Sequence, residues 1–190
     1  MHHSDAGRPT AWRRSLSGWD ESLCRRLNTG NRNLHAARFF AGVSRLGDGA
    51  VWYAVMLMQP VLLGWEAGWR MLLLMAATGA FSTALYRLIK GRTRRPRPSE
   101  ALQALTLTVS PLDRFSFPSG HTLHAVGFTV MATAATPWLG WLLVPYAALV
   151  GLSRPILGLH WPSDVLVGAG LGALMGWTAL ACAPWLGLAA

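Results

Sequence analysis

From Phe115 to the C-terminus the chain carries only two charged side chains, Arg154 and Asp164; the rest is apolar runs separated by short polar turns. Burying a charge inside such a stretch is expensive, so the two that remain are functional candidates by default. Two more apolar runs precede this region. The chain is therefore expected to fold as an all-α, polytopic membrane bundle of about five transmembrane helices, with a short amphipathic helical region at its N-terminus. Composition agrees, since 52% of the 190 residues are hydrophobic, ten are tryptophan and only 13% are charged. A soluble domain would carry more charge.

The chain divides into residues 1–48, a polar tail with amphipathic or interfacial helices, and residues 49–190, the membrane domain. Residues Met1 to about Gly18 read as a loose polar tail. Ser17 and Asp20 are spaced as a capping box opening a short helix through about Leu27, and Asn28 to Asn33 reads as a turn. From Leu34 to Leu46 a helix would carry Phe39, Phe40, Val43 and Leu46 on one side and Arg38 and Arg45 on the other. Such a helix either lies in the membrane interface or packs its apolar face on the bundle.

The first crossing is expected from about Ala50 to Trp65, kinked at Pro60, followed by a tight turn at Glu66 to Gly68 and a second crossing from Trp69 to Ile89. Arg70 and Arg87 can snorkel to the headgroups from its ends. Residues Lys90 to Pro118 form a long polar loop, which inside a compact membrane protein is usually functional. Further crossings are expected from His121 to Thr136, from Trp138 to Leu152 and, after a polar turn around Arg154 to Ser163, from Asp164 to the C-terminus. The last carries Gly168, Gly170, Gly172, Ala173 and Gly176, small residues that let helices approach closely.

The net charge of +9 is distributed in blocks: eight arginines lie up to and including Arg45, and five more fall between Arg87 and Arg97. Arginines beside bilayer-length apolar runs are explained by anionic headgroups and topology, so nucleic acid is not an expected partner. Cys24 and Cys182 are too few for a disulfide framework or a metal site. The first residues lack the pattern of a cleaved signal peptide, so the internal apolar runs would direct insertion.

Successive crossings bring three polar clusters to one face. The first is Lys90, the only lysine, with Arg97 locked between Pro96 and Pro98. A juxtamembrane basic patch needs no fixed geometry, whereas an arginine fork that grips phosphate does. The second is Pro118-Ser119-Gly120-His121, which sets a hydroxyl and unobstructed amides at a helix N-terminus, with a proton donor one residue on. His124, a turn further, reads as a supporting residue. In the third, Ser153-Arg154 precedes His160, and Pro162 is suited to start a helix carrying Asp164 in its first turn. Asp164 at that spacing can accept a hydrogen bond from one imidazole nitrogen of His160 and leave the other as a nucleophile. Taken alone, each cluster has a plainer reading: a topological patch, a turn, or a capping Asp beside an interfacial His-Trp pair.

Together, Lys90 with Arg97-Pro98 after six intervening residues, then Pro118-Ser119-Gly120-His121, then Ser153-Arg154 with His160 after five more and Asp164 after three, resemble the three-part signature of the type 2 phosphatidic acid phosphatase family. The segment Val43 to Gly49 is similar to a looser lead-in found in many members. The resemblance implies that His160 attacks phosphorus to form a phosphohistidine, that Asp164 orients it, and that His121 protonates the leaving oxygen and then activates water. It implies that Lys90, Arg97, Ser119, Gly120 and Arg154 bind the phosphate. No metal or other cofactor is expected, because three cations do the neutralising.

The implied partner is a lipid phosphate held in the bilayer, with phosphatidylglycerol phosphate, phosphatidic acid and undecaprenyl pyrophosphate as the family's usual bacterial candidates. A phosphotransferase with the same intermediate and a noncatalytic lipid-binding protein are the alternatives. The implied location is the bacterial inner membrane. The positive-inside rule puts the polar face in the cytoplasm, whereas many relatives place it outside; the reading here follows the relatives, toward the periplasm.

Overall fold

The computed structural model describes residues 11–102, 105–111 and 113–187, with side chains from Gly18 onward. Among the described residues all regular structure is helical. Helix α1 (Ala11–Asn28) leads through a 3-10 turn at Thr29–Arg32 into α2 (Leu34–Leu46), α3 (Ala50–Leu63) and α4 (Trp65–Thr93). A single-turn α5 (Pro98–Ala101) lies in the polar connection to α6 (Gly120–Ala135), and α7 (Gly140–Ile156) and α8 (Pro162–Cys182) complete the order.

The expected tail at 1–10 lies outside the described residues. From Ala11 the backbone is helical, so Ser17 and Asp20 sit within α1 and form no capping box at its start. Asp20 is instead drawn into the bundle, 1% exposed. The turn at Asn28 to Asn33 is present, and the Asn33 side chain caps α2 by accepting from His35 N and Ala36 N. Helix α2 buries Ala37, Ala41, Val43 and Ser44 and packs chiefly on α7, while Phe39 and Leu46 remain exposed. The stripe facing the protein is thus of small residues, which brings Ser44 within reach of Arg154.

The apolar helices fall near their expected places, with two corrections. The break between α3 and α4 is Gly64, at φ 84, a conformation glycine adopts without strain, and Glu66 to Gly68 are already the first turn of α4. Helix α7 continues to Ile156, so Arg154 projects from a helical turn and not from the loop after it. Pro162 does start α8, with Asp164 in the first turn.

Trp65–Ala101, Pro137–Ile156 and Pro162–Cys182 are long and apolar enough to cross a bilayer, and α2 with α3, bent by 46°, would supply a fourth span. Helix α6, of 16 residues, is shorter but central; it packs most extensively on α8 and also on α7 and α4. The protein is an all-α membrane bundle. Its core, around Trp52, Met75, Met131 and Val150, lies between these helices and beneath the polar clusters.

Candidate active site

Four helix termini converge at one end of the bundle: the C-terminal ends of α4 and α7 and the N-terminal ends of α6 and α8. They deliver Lys90, Arg154, Gly120 with His121, and His160 to one cavity of about 540 Å³, together with Arg97 from the polar connection. The other end of that cavity is lined by Met56, Ala76, Ala80 and Phe128. A polar end set against an apolar one suits a molecule with a charged head and a hydrocarbon tail. Ser119 and Asp164 do not line the cavity; they stand behind it, each fully buried.

The three cations are held differently. Arg97 is locked between its prolines by backbone carbonyls: Nε donates to Asp113 O at 3.0 Å, Nη1 to Leu159 O at 2.5 Å and Nη2 to Phe115 O at 3.3 Å. Nη2 also reaches Asp113 Oδ1 at 2.6 Å, and Nη1 lies 3.4 Å from His160 Nε2. A guanidinium has five N–H donors, so few remain for a ligand unless Asp113 yields. Lys90 Nζ donates to both Asp113 oxygens, at 2.9 and 2.7 Å. Arg154 donates from Nη1 to Ser44 Oγ at 2.5 Å, and its buried Nε has no hydrogen-bond partner among the described residues. Burial raises the Asp113 pKa, but the hydrogen bonds and charges of Lys90 and Arg97 outweigh it and hold the carboxyl below its usual value.

Ser119 caps α6: its Oγ accepts from Thr122 N at 3.5 Å and lies 2.9 Å from Thr122 Oγ1, and its backbone N–H donates to Asp164 O at 3.1 Å, tying the start of α6 to the start of α8. Gly120 faces the Tyr86 ring, where a Cβ would lie 3.2 Å from the aromatic carbons. His121 Nε2 is paired with Asp48 Oδ1. His124 sits deeper, stacked on Phe128 at 5.5 Å, with Nε2 3.3 Å from Thr83 Oγ1 and from Gly79 O.

His160 is carried by the turn after α7, where the Leu159 and His160 amides both approach Arg154 O, at 2.9 and 3.4 Å. Its imidazole is 1% exposed. Burial first, and then the charges of Arg154, Arg97 and Lys90, push its pKa well below the usual imidazole value, so the ring is neutral. Nδ1 lies 3.7 Å from Asp164 Oδ2, too far for a hydrogen bond, and has no other partner among the described residues. Asp164 is engaged instead by Arg95 Nη1 at 2.7 Å and Trp161 N at 2.9 Å.

Sequence reasoning missed several residues that shape this site. Asp113 bridges two of the cations; its one signal is that it is the sole carboxylate between Glu100 and Asp164. Arg95 was passed over inside a basic run. Ser44 and Asp48 fall within the segment noted as a lead-in, but nothing local indicated that they would touch Arg154 and His121.

A membrane helix bundle that gathers three cations around a buried imidazole has the chemistry to hold an anionic group against that ring. Comparison places the chain accordingly: the PAP2 superfamily model matches residues 67–188, and the chain belongs to that family. It is 41% identical over 105 residues to the decaprenylphosphoryl-5-phosphoribose phosphatase of Mycobacterium tuberculosis, covering 54% of this chain and 56% of that protein. It is 33% identical over 114 residues to undecaprenyl-diphosphatase BcrC of Bacillus subtilis, covering 60% and 58%. The chain thus spans little more than half the length of these relatives. Among solved structures, the transmembrane PAP2 type phosphatidylglycerolphosphate phosphatase from Bacillus subtilis superposes with a TM-score of 0.74 at 22% identity, over 90% of this chain and 88% of that one, and shares the fold. Aquifex aeolicus LpxE gives 0.68 at 26% identity, over 84% and 93%.

Proposed function

We propose that the protein is a lipid phosphate phosphatase acting through a phosphohistidine. His160 Nε2 attacks phosphorus, forming a P–N bond as the bond to the leaving oxygen breaks. His121 gives that oxygen its proton. It then takes a proton from water, which attacks the phosphohistidine, releases inorganic phosphate and restores the imidazole. Lys90, Arg97 and Arg154, with the first-turn amides of α6 beginning at Gly120 and capped by Ser119, hold the nonbridging oxygens and stabilise their growing charge. Asp164 steadies the ring and balances the charge it gains. Closing the 3.7 Å contact by about 0.8 Å reaches ordinary hydrogen-bond distance, and such contacts tighten with substrate bound. Arg97 is freed for phosphate when Asp113 gives way to it.

The observation that carries this reading is that the three cations and the His160 imidazole line one cavity whose far end is apolar. That far end supports a lipid tail. The candidates are phosphatidic acid, phosphatidylglycerol phosphate, undecaprenyl pyrophosphate and, from the Mycobacterium tuberculosis relative, a polyprenylphosphoryl phosphoribose. For location we propose the bacterial inner membrane with the site facing the periplasm. Arg97 and Arg154, buried in the site, are accounted for by its chemistry and not by topology.

Phosphate release from these lipids by the purified protein in detergent tests activity and substrate together. Release that vanadate inhibits, that a chelator leaves unchanged and that His160→Ala abolishes is the expected result. Full activity in folded His160→Ala would remove the assigned nucleophile, and phosphorylation of a second lipid without free phosphate would make the protein a transferase.

A further inference from the structure

Behind His160 a half-buried network connects Asp164 to the N-terminal helix. Arg95 donates from Nη1 to Asp164 Oδ1 at 2.7 Å and to Ser163 Oγ at 2.8 Å, and from Nη2 to Asp20 Oδ2 at 2.6 Å. Asp20 accepts in addition from Ser163 N at 2.9 Å and Ser163 Oγ at 2.5 Å. None of these four residues lines the cavity. Asp20 belongs to α1, well before the residues that match the family model.

Arg95 is one cation placed between two buried carboxylates. If its planar fork served Asp164 alone, both Asp164 oxygens could be drawn into a bidentate pair, and little charge would be left for the His160 ring. Asp20 prevents that by taking the second arm of the fork. Oδ2 of Asp164 is then left to the Trp161 amide and faces His160 Nδ1, which has no hydrogen-bond partner among the described residues. Through Ser163 N, Asp20 also satisfies a first-turn amide of α8, fixing the turn from which Asp164 projects.

We propose that Asp20, acting through Arg95, is a positioning residue for the reaction: it divides the Arg95 guanidinium so that Asp164 keeps the place from which it steadies the His160 imidazole. The N-terminal helix is on this account part of the catalytic apparatus. The inference rests on the phosphohistidine reading above.

The test is steady-state kinetics of the 190-residue chain in detergent, with dioctanoyl phosphatidic acid and undecaprenyl pyrophosphate as probes and thermal unfolding followed in parallel. Asp20→Asn is expected to lower kcat about tenfold with KM within about twofold, since the lost support acts on the reacting ring and not on phosphate binding. Asp20→Glu should recover most of the loss. Arg95→Met, which leaves two buried carboxylates facing each other, is expected to fall further, and combining it with Asp20→Asn should raise kcat again by removing that repulsion. A purely structural anchor would instead lower the yield and thermal midpoint while leaving kcat of the folded fraction intact. If Asp20→Asn does not fold, Arg95→Lys keeps the charge but cannot fork to both carboxylates, and the same fall in kcat is expected.

Wild-type kcat in Asp20→Asn or, failing that, in Arg95→Lys, with His160→Ala inactive, would overturn the inference and leave the phosphatase reading standing. Activity in His160→Ala, or no phosphate release by the wild type from either lipid, would remove the reading beneath it and the inference with it.

Discussion

Gly172 is where α8 lies against α6, and it offers a measured perturbation of the site from outside it. A Cβ added there would stand 2.2 Å from Leu123 O, 3.0 Å from Leu123 C and 3.1 Å from Gly127 N, all of them backbone atoms that cannot rotate away. Opening 2.2 Å to the 3.4 Å at which ordinary contact begins separates the two helices by about 1 Å. Overpacking of this kind costs about 1–3 kcal/mol. The helices forced apart carry His121 on one side and Asp164 on the other, and a misplacement of about 1 Å at reacting groups can cost about a hundredfold in rate. Gly170 on the same helix is the control, because a Cβ there meets nothing within 4 Å. Gly170→Ala is expected to be neutral or stabilising by up to about 1 kcal/mol, from helix propensity and the reduced freedom of the unfolded chain. The assay is thermal unfolding of the two purified variants in one detergent, with phosphate release measured on the folded material. Gly172→Ala should unfold at lower temperature and lose most of its kcat, while Gly170→Ala keeps both. If the two variants behave alike, α6 and α8 are not in backbone contact at Gly172, and the alignment of the histidines does not depend on it.

Asp113→Asn removes the carboxylate that binds Lys90 and Arg97 at 2.6 to 2.9 Å, so competing anions should bind more readily. A several-fold fall in the vanadate Ki is expected, and an unchanged or higher Ki would show that Asp113 does not compete for the clamp. The His160 imidazole, held well below the usual value by burial and three cations, stays neutral as pH falls through about 6.5. The acid limb of kcat/KM due to this group should therefore lie below that value, and a limb at the ordinary histidine pKa would count against His160 as the nucleophile. The same shift has a stability sign. The unfolded chain takes up a proton on this histidine near pH 6.5 and the folded chain does not, so its contribution is full above that pH and is lost as pH falls toward the folded pKa. A periplasm-dependent reporter fused after α8, whose end at Cys182 lies opposite the site, should be inactive if the site faces the periplasm; strong activity would put the site in the cytoplasm.

The helices were legible because hydropathy and proline position are local signals, and the three clusters were legible because each is short and lies at a helix end whose side of the membrane follows from counting crossings. Gly64 and Gly68 show the limit of that reading: both resemble turn residues, but only Gly64 takes a positive φ, while Gly68 is needed for the approach of α4 to the Pro60 backbone. The partners of the clusters were not legible for a different reason. Asp20 finds Arg95 75 positions away, Asp48 finds His121 at 73, and Ser44 finds Arg154 at 110. No local pattern records such contacts.

One global feature of the sequence does record them indirectly. The chain has only eight carboxylates against seventeen lysines and arginines, and four of the eight (Asp20, Asp48, Asp113 and Asp164) gather at the site end. Each has a different partner set, so the pattern is not one ion-pair lattice. Asp20 and Asp164 share Arg95, Asp113 bridges Lys90 and Arg97, and Asp48 holds His121. Lys90, Arg95, Arg97 and Arg154 supply four positive charges to set against these four carboxylates. On the proposed reading a phosphate meets Arg154, which makes no ion pair among the described residues, and reaches Lys90 and Arg97 when one carboxylate gives way. Asp20 and Asp164 are almost wholly buried and fixed by backbone amides, and Asp48 is paired with His121. Asp113, 40% exposed on a connection between helices, is the one whose release costs least. The scarcity of acid in the sequence thus becomes, in the folded protein, a near balance of charge at the site end, which on the proposed reading a phosphate enters by displacing that one side chain.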